Sequence, residues 1–195
     1  MRESENISEL MTLKPDYIGF IFYAQSKRFV SDFPQIVIPS SVKKVGVFVN
    51  ETIEEIIEKA NKHTLDFVQL HGDETLEYCE ELSAKNIKII KAFSVGENFD
   101  FSVTIPFEEY VSLFLFDTKG KNYGGNGVKF NWSILQNYTG KTHFLLSGGI
   151  NKNDSEEIKK MKHSAFLGID INSGFELEPG LKNIKEIKEF KNLLV

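Results

Sequence analysis

What the 195-residue sequence lacks narrows its class before any motif is read. It has a single cysteine, Cys79, so no intramolecular disulfide can form. Stability has to come from a core built in a reducing compartment, and the expected localisation is cytoplasmic. Long apolar runs are missing too: stretches such as "LFLF" (Leu113 to Phe116) fall far short of the ~18 residues a membrane span takes. The opening residues mix Arg, Glu, Ser and Lys, without the apolar segment of a secretory signal, and no membrane partner is expected. Basic charge is in deficit. With 23 Lys and Arg against 28 Asp and Glu, the net charge is -5, which argues against a nucleic-acid partner yet leaves room for a local pocket that takes a small anion. There is no low-complexity tract or linker, so residues 1–195 are read as one domain.

What is present is a rhythm. Seven short apolar, β-branched or aromatic runs begin at Asp16, Lys43, Leu65, Ile87, Ser112, His143 and Ala165, 22 to 31 residues apart. That interval fits one strand, loop, helix and loop of a parallel sheet. Helical periodicity is clear from Thr52 to His63, Glu74 to Lys85, Ser155 to Lys162 and Leu181 to Leu194, and the opening "MRESENISEL" predicts a helix with Ser4 as its N-cap. By contrast "SDFPQIVIPS" and "ENFDFSVTIPFEEY" contain proline and little helical period, which predicts loops or degenerate turns. A chain that starts and ends with a helix and holds seven strands between them matches a (β/α)₈ barrel without its first strand. The rival is an open, doubly wound sheet of seven strands.

In both folds chemistry gathers just past the carboxyl ends of the strands. Arg28, in a loop after the first run, offers a guanidinium that forks onto a carboxylate or phosphate; taken alone, it also reads as a solvated surface arginine. Gln69 and His71 share a strand face by period two, where His71 suits proton transfer, a polar contact or a loop cap. Asp117 follows four apolar residues, at the edge of a dry core where a carboxyl gains proton affinity and becomes a general-acid candidate, although aspartate at a strand end is also a common turn former. Gly124, Gly125 and Gly127 then form a loop able to fold over a ligand. The last two runs end in Gly148 and Gly149 and in Asn172, Ser173 and Gly174. Their unobstructed N–H groups suit a phosphate, all the more if "SGFE" opens a short extra helix, and this pairing favours the barrel.

Together these residues resemble the phosphoribosylanthranilate isomerase family of tryptophan biosynthesis along essentially the whole chain. The resemblance rests on "DYIGFIFYAQSKRFV", "KKVGVFVN", "VQLHGDE", "IKAF", "LFDT", "GGNGVKFNW", "LSGGI" and "GIDINSGFELEPGLKN", in the family's order and spacing. It implies a (β/α)₈ barrel without cofactor or metal, monomeric or homodimeric, that takes a small-molecule substrate. The implied reaction is an Amadori rearrangement of N-(5-phosphoribosyl)anthranilate to the open-chain carboxyphenylamino deoxyribulose phosphate. The resemblance gives Asp117 the role of general acid, Arg28 the anthranilate carboxylate, and Gly148, Gly149, Asn172, Ser173 and Gly174 the phosphate. Asn126 and Val128 depart from the Thr and Lys common in relatives.

The family's general base is a cysteine in a first strand ending Cys-Gly-Met-Arg, and Met1-Arg2 matches the last two residues of that motif. The expectation is therefore that the first strand and the catalytic thiolate lie upstream of Met1, and that the chain as it stands has little isomerase activity. Cys79 is no substitute, because "TLEYCEEL" places it on the apolar face of a helix. The alternatives are a non-catalytic phosphosugar-binding protein and another phosphate-binding barrel enzyme of amino-acid biosynthesis. Such enzymes would carry lysine or paired aspartates at strand ends.

Overall fold

The computed structural model describes residues 1–118 and 129–194. All seven expected runs are strands: β1 (Tyr17–Ile21), β2 (Lys43–Phe48), β3 (Phe67–Leu70), β4 (Ile89–Val95), β5 (Leu113–Thr118), β6 (Phe144–Leu146) and β7 (Phe166–Ile169). Each pairs in parallel with the next, so the sheet runs β1 to β7 in chain order. A doubly wound sheet reverses its strand order at a switch point, whereas a barrel does not. The uninterrupted order therefore decides for the barrel type. Residues from β1, β2, β3, β5, β6 and β7 line one cavity, which shows that the sheet is curled. Among the described residues β1 and β7 do not pair with each other, so the curl is open at a seam.

Period two sorts the strand residues into an inner and an outer set. Val45, Ile90, Ala92, Leu113, Leu115 and Leu145 pack inside the curl with Tyr17 and Phe67. Their alternates, including Phe20, Phe48, Val68 and Leu70 on one side and Phe114, Phe116, Phe144 and Leu146 on the other, pack outward under the helices and loops. Burial on both faces explains why these strands read as continuous apolar runs.

The helices are α1 (Ser4–Met11), α2 (Ile53–His63), α3 (Leu76–Ala84), α4 (Ser155–Lys160) and α5 (Ile184–Leu194). Ser4 is not the N-cap of α1. The Ile7 N–H takes the Glu3 carbonyl at 3.0 Å, so Glu3 holds that position without a side-chain cap. Thr52 caps α2 by accepting from Glu55 N. The third helix starts two residues later than expected because the Glu74 carboxylate is engaged elsewhere, by the N–H groups of Asn50 and Gly72 and by Lys91, and Thr75 caps instead. The residues expected to begin α5 form a hairpin: β8 (Glu176–Glu178) pairs antiparallel with β9 (Leu181–Lys182) around Gly180, whose φ of +92° suits glycine. Asn183 then accepts from Glu186 N and starts the helix. As expected, no helix forms over 31–40, while Phe101–Glu109, with Pro106 inside it, is held to a 3₁₀ run.

Hydrogen bonds from side chains and from the terminal amine fasten the start of the chain to the rest. The Asn6 amide donates to the Lys182 carbonyl at 2.9 Å and accepts from Lys182 N at 2.7 Å, which binds α1 to the hairpin. At the seam, Asp16 and Phe22 bond to β2, so alternation turns the Gly19 carbonyl to the other edge of β1, where it accepts from the Met1 nitrogen at 3.1 Å, while farther along that edge Ile21 O accepts from Val30 N. No helix among the described residues is long and apolar enough to cross a membrane.

Candidate active site

The inward positions that hold apolar side chains low in the curl hold polar ones at its carboxyl end. On β5 the succession Leu113, Leu115, Asp117 carries the aspartate past the inner core while leaving it buried, 6% exposed. Its Oδ1 accepts from Thr118 N at 2.8 Å, and its Oδ2 lies 3.2 Å from His71 Nε2. His71 Nδ1 is in turn 2.9 Å from Gln69 Nε2. An amide nitrogen only donates, so His71 Nδ1 accepts and the imidazole N–H sits on Nε2, pointed at Asp117.

The glycine loop after β6 lies against this aspartate. Gly148 has φ +88°, and a Cβ there would come within 2.6 Å of Asp117 Oδ1 and 2.4 Å of Thr118 N. A Cβ on Gly174 would meet the Ile150 carbonyl at 2.1 Å, so the loop after β7 is seated on the loop after β6. The two glycine clusters and the acid thus form one wall. "SGFE" gives a single 3₁₀ turn, Ser173–Phe175, rather than an extra helix, because the chain passes at once into β8. That turn is too short for a helix dipole, and any anion there depends on individual N–H groups. Gly124, Gly125, Asn126, Gly127 and Val128 lie outside the described residues.

A second set of groups lining the cavity is cationic. Arg28 forks onto Glu176, with Nε 3.0 and 2.9 Å from the two carboxylate oxygens and Nη2 2.6 Å from one of them. Lys182 Nζ bonds Asn172 Oδ1 at 2.7 Å and Glu176 Oε1 at 3.2 Å. Burial alone would raise the Glu176 carboxyl, but Arg28, Lys182 and the Gly180 N–H outweigh it and hold it below its usual value. Burial pulls Lys182 down, opposed by Glu176 and Asp170. Asp170, just past β7, accepts from Ser147 Oγ at 3.0 Å. Burial pushes its carboxyl up and Asp117 adds to this, against Lys182 and the Ser147 bond.

A cavity of about 640 Å³ joins both sides, and all seven site residues singled out in the sequence line it: Asp117, Arg28, Gly148, Gly149, Asn172, Ser173 and Gly174. The sequence missed Asp170, Glu176 and Lys182. Asp170 carried a signal, since it stands at a strand end like Asp117; the carboxyl ends of the strands therefore bring two aspartates to the cavity where the sequence pointed to one. Glu176 and Lys182 carried none beyond lying in the matching stretch "GFELEPGLKN". Cys79 is fully buried in α3, where burial pushes its thiol up to about 11, as an inert core residue requires. No group of three His, Cys, Asp or Glu among the described residues is placed to hold a metal ion.

Residues 1–192 match the family model described as N-(5'phosphoribosyl)anthranilate (PRA) isomerase. The chain belongs to that family. By that membership it is an isomerase of tryptophan biosynthesis. It is 51% identical to the N-(5'-phosphoribosyl)anthranilate isomerase of Parabacteroides distasonis over 195 residues, covering 97% of this chain and 88% of that one. The crystal structure of phosphoribosyl anthranilate isomerase from Thermotoga maritima matches with a TM-score of 0.83 and 32% identity, over 100% of this chain and 95% of that one. A phosphoribosyl anthranilate isomerase in complex with reduced 1-(o-carboxyphenylamino)-1-deoxyribulose 5-phosphate matches with a TM-score of 0.82 and 30% identity, over 100% and 94% of the two chains. These phosphoribosylanthranilate isomerases share the α/β barrel-type fold described above.

Proposed function

We propose that the cavity binds N-(5'-phosphoribosyl)anthranilate and that Asp117 is the general acid of its Amadori rearrangement. In this reading Asp117 protonates the furanose ring oxygen, the ring opens to a Schiff base, and loss of the C2 proton gives the enolamine that becomes the ketose. The Gly148 and Gly149 loop and the Asn172 to Gly174 turn hold the phosphate, and Arg28 holds the anthranilate carboxylate. The observation that carries this is the contact of Gly148 with Asp117, which sets an anion loop beside a buried carboxyl inside one cavity. His71, with its N–H directed at Oδ2, orients the acid.

The same reading gives the base to a thiolate on an eighth strand in the seam. Closing the curl takes a strand that pairs with both β1 and β7, and the Met1 nitrogen already bonds the edge of β1 away from β2. The test is calorimetric titration of the 195-residue chain with reduced 1-(o-carboxyphenylamino)-1-deoxyribulose 5-phosphate, together with turnover measured with and without an added N-terminal strand bearing cysteine. Binding in both forms, with turnover raised by the strand, is expected. A chain that binds neither this analogue nor inorganic phosphate overturns the reading. Turnover in the 195-residue chain at the extended form's rate overturns the assignment of the base.

A further inference from the structure

Glu176 bonds both Arg28 and Lys182 without lining the cavity itself. We propose that it is a positioning residue that fixes the direction of the Arg28 guanidinium and so sets the preference of the cavity for a ligand with a carboxylate. This rests on the reading of Arg28 given above.

A guanidinium has five N–H groups in a rigid plane. Glu176 takes the edge formed by Nε and Nη2, and among the described residues Nη1 has no partner. The opposite edge, Nη1 with the second hydrogen of Nη2, is therefore left whole, and it has the geometry that accepts a carboxylate side-on. Because the group is planar, fixing one edge aims the other. The turn that carries Arg28 is fixed by the bonds of Arg28 N and Phe29 N to Ser26, which set where its long side chain starts but not how its far end is turned.

Glu176 is well placed to hold it. Its side chain is 4% exposed, and its oxygens also accept from Gly180 N at 3.1 Å and from Lys182. Glu176 and Lys182 are direct partners across the β8–β9 ladder, and the hairpin is fastened to α1 through Asn6 and through Arg2, which donates to the Pro179 carbonyl. Lys182 holds Asn172 at 2.7 Å, closer than it holds Glu176, so the phosphate side keeps its own anchor when the Glu176 charge is removed. Replacing this carboxylate thus separates the two ends of the ligand.

The test compares two probes, the reduced carboxyphenylamino deoxyribulose phosphate and its counterpart with a phenyl ring lacking the carboxylate. Glu176→Gln is expected to weaken the first by roughly 10- to 100-fold and the second by less than about threefold. In an Arg28→Gln background the same substitution should change neither, because its effect acts through Arg28. Where thermal melting shows Glu176→Gln unfolded, Glu176→Asp keeps the charge and withdraws the fork by one methylene, and a fall of about three- to tenfold in the preference is expected. A preference that survives in a folded Glu176 variant overturns the positioning role alone. A native chain that binds both probes equally overturns the Arg28 reading itself.

Discussion

The two walls of the cavity are held by different means. On the acid wall Gln69, His71, Asp117 and Ser147 stand on or just past β3, β5 and β6, and the sheet register places them. On the cation wall Arg28 and Glu176 are 148 residues apart in sequence and meet through side-chain bonds between a loop and a short hairpin. Backbone hydrogen bonds fix a position whatever the state of ionisation. Ion pairs fix it only while both partners are charged. In the proposed reading the proton donor is thus built on strands, and the grip on the anthranilate carboxylate is built on a network of charges.

Substitutions test this contrast. The largest effect is expected of Asp117→Asn, which should lower turnover about 10²- to 10⁴-fold, measured in a form of the protein that turns substrate over. The affinity for the reduced analogue and the melting temperature should stay near their native values. If turnover persists, Asp117 is not the acid. Next comes Gly148→Ala. The added methyl meets Asp117 and Thr118 at a φ of +88°, so it should cost about 1 to 3 kcal/mol in urea denaturation and weaken phosphate binding. An unperturbed variant would show that the two halves of the acid wall do not press together.

Smaller is the effect of Gln69→Leu, which removes the donor to His71 Nδ1 and frees the imidazole to change tautomer. A fall of roughly tenfold in turnover at unchanged analogue affinity is expected. The smallest effect is one of pH. The Glu176 carboxyl is held below the ordinary 4.5, so its ionised form adds stability that is fully present above that value and is lost as pH falls through its lower folded value. In acid denaturation the native chain should therefore lose its advantage over Glu176→Gln below about pH 4.5. A gap that stays constant across that range would mean that the charge of Glu176 does not matter.

The same contrast governs what could be seen in the sequence. All seven strands were legible as short apolar runs at a regular interval, the shared face of Gln69 and His71 followed from period two, and Asp117 stood out by the four apolar residues before it. The cavity residues Arg28, Gly148, Gly149, Asn172, Ser173 and Gly174 were legible as strand-end groups. The partner of Arg28 was not, since nothing local to either residue encodes a contact across 148 positions. The hairpin was hidden for another reason. Leu181, Ile184, Ile187, Phe190 and Leu194 keep helical spacing, but the Glu176 and Lys182 pairing and the Asn6 tie draw the first of these residues into β9, a tertiary override of local pattern. Cys79 was placed correctly from its helix face, with the outcome that its thiol stays protonated at neutral pH.

The double amide tie between Asn6 and Lys182 has a consequence for synthesis on the ribosome. The first helix gains this partner only from a strand translated 176 residues later, after every strand of the parallel sheet has been made. A nascent chain halted before Lys182 would already hold Asp117, Arg28 and Glu176, with the β8–β9 hairpin still incomplete.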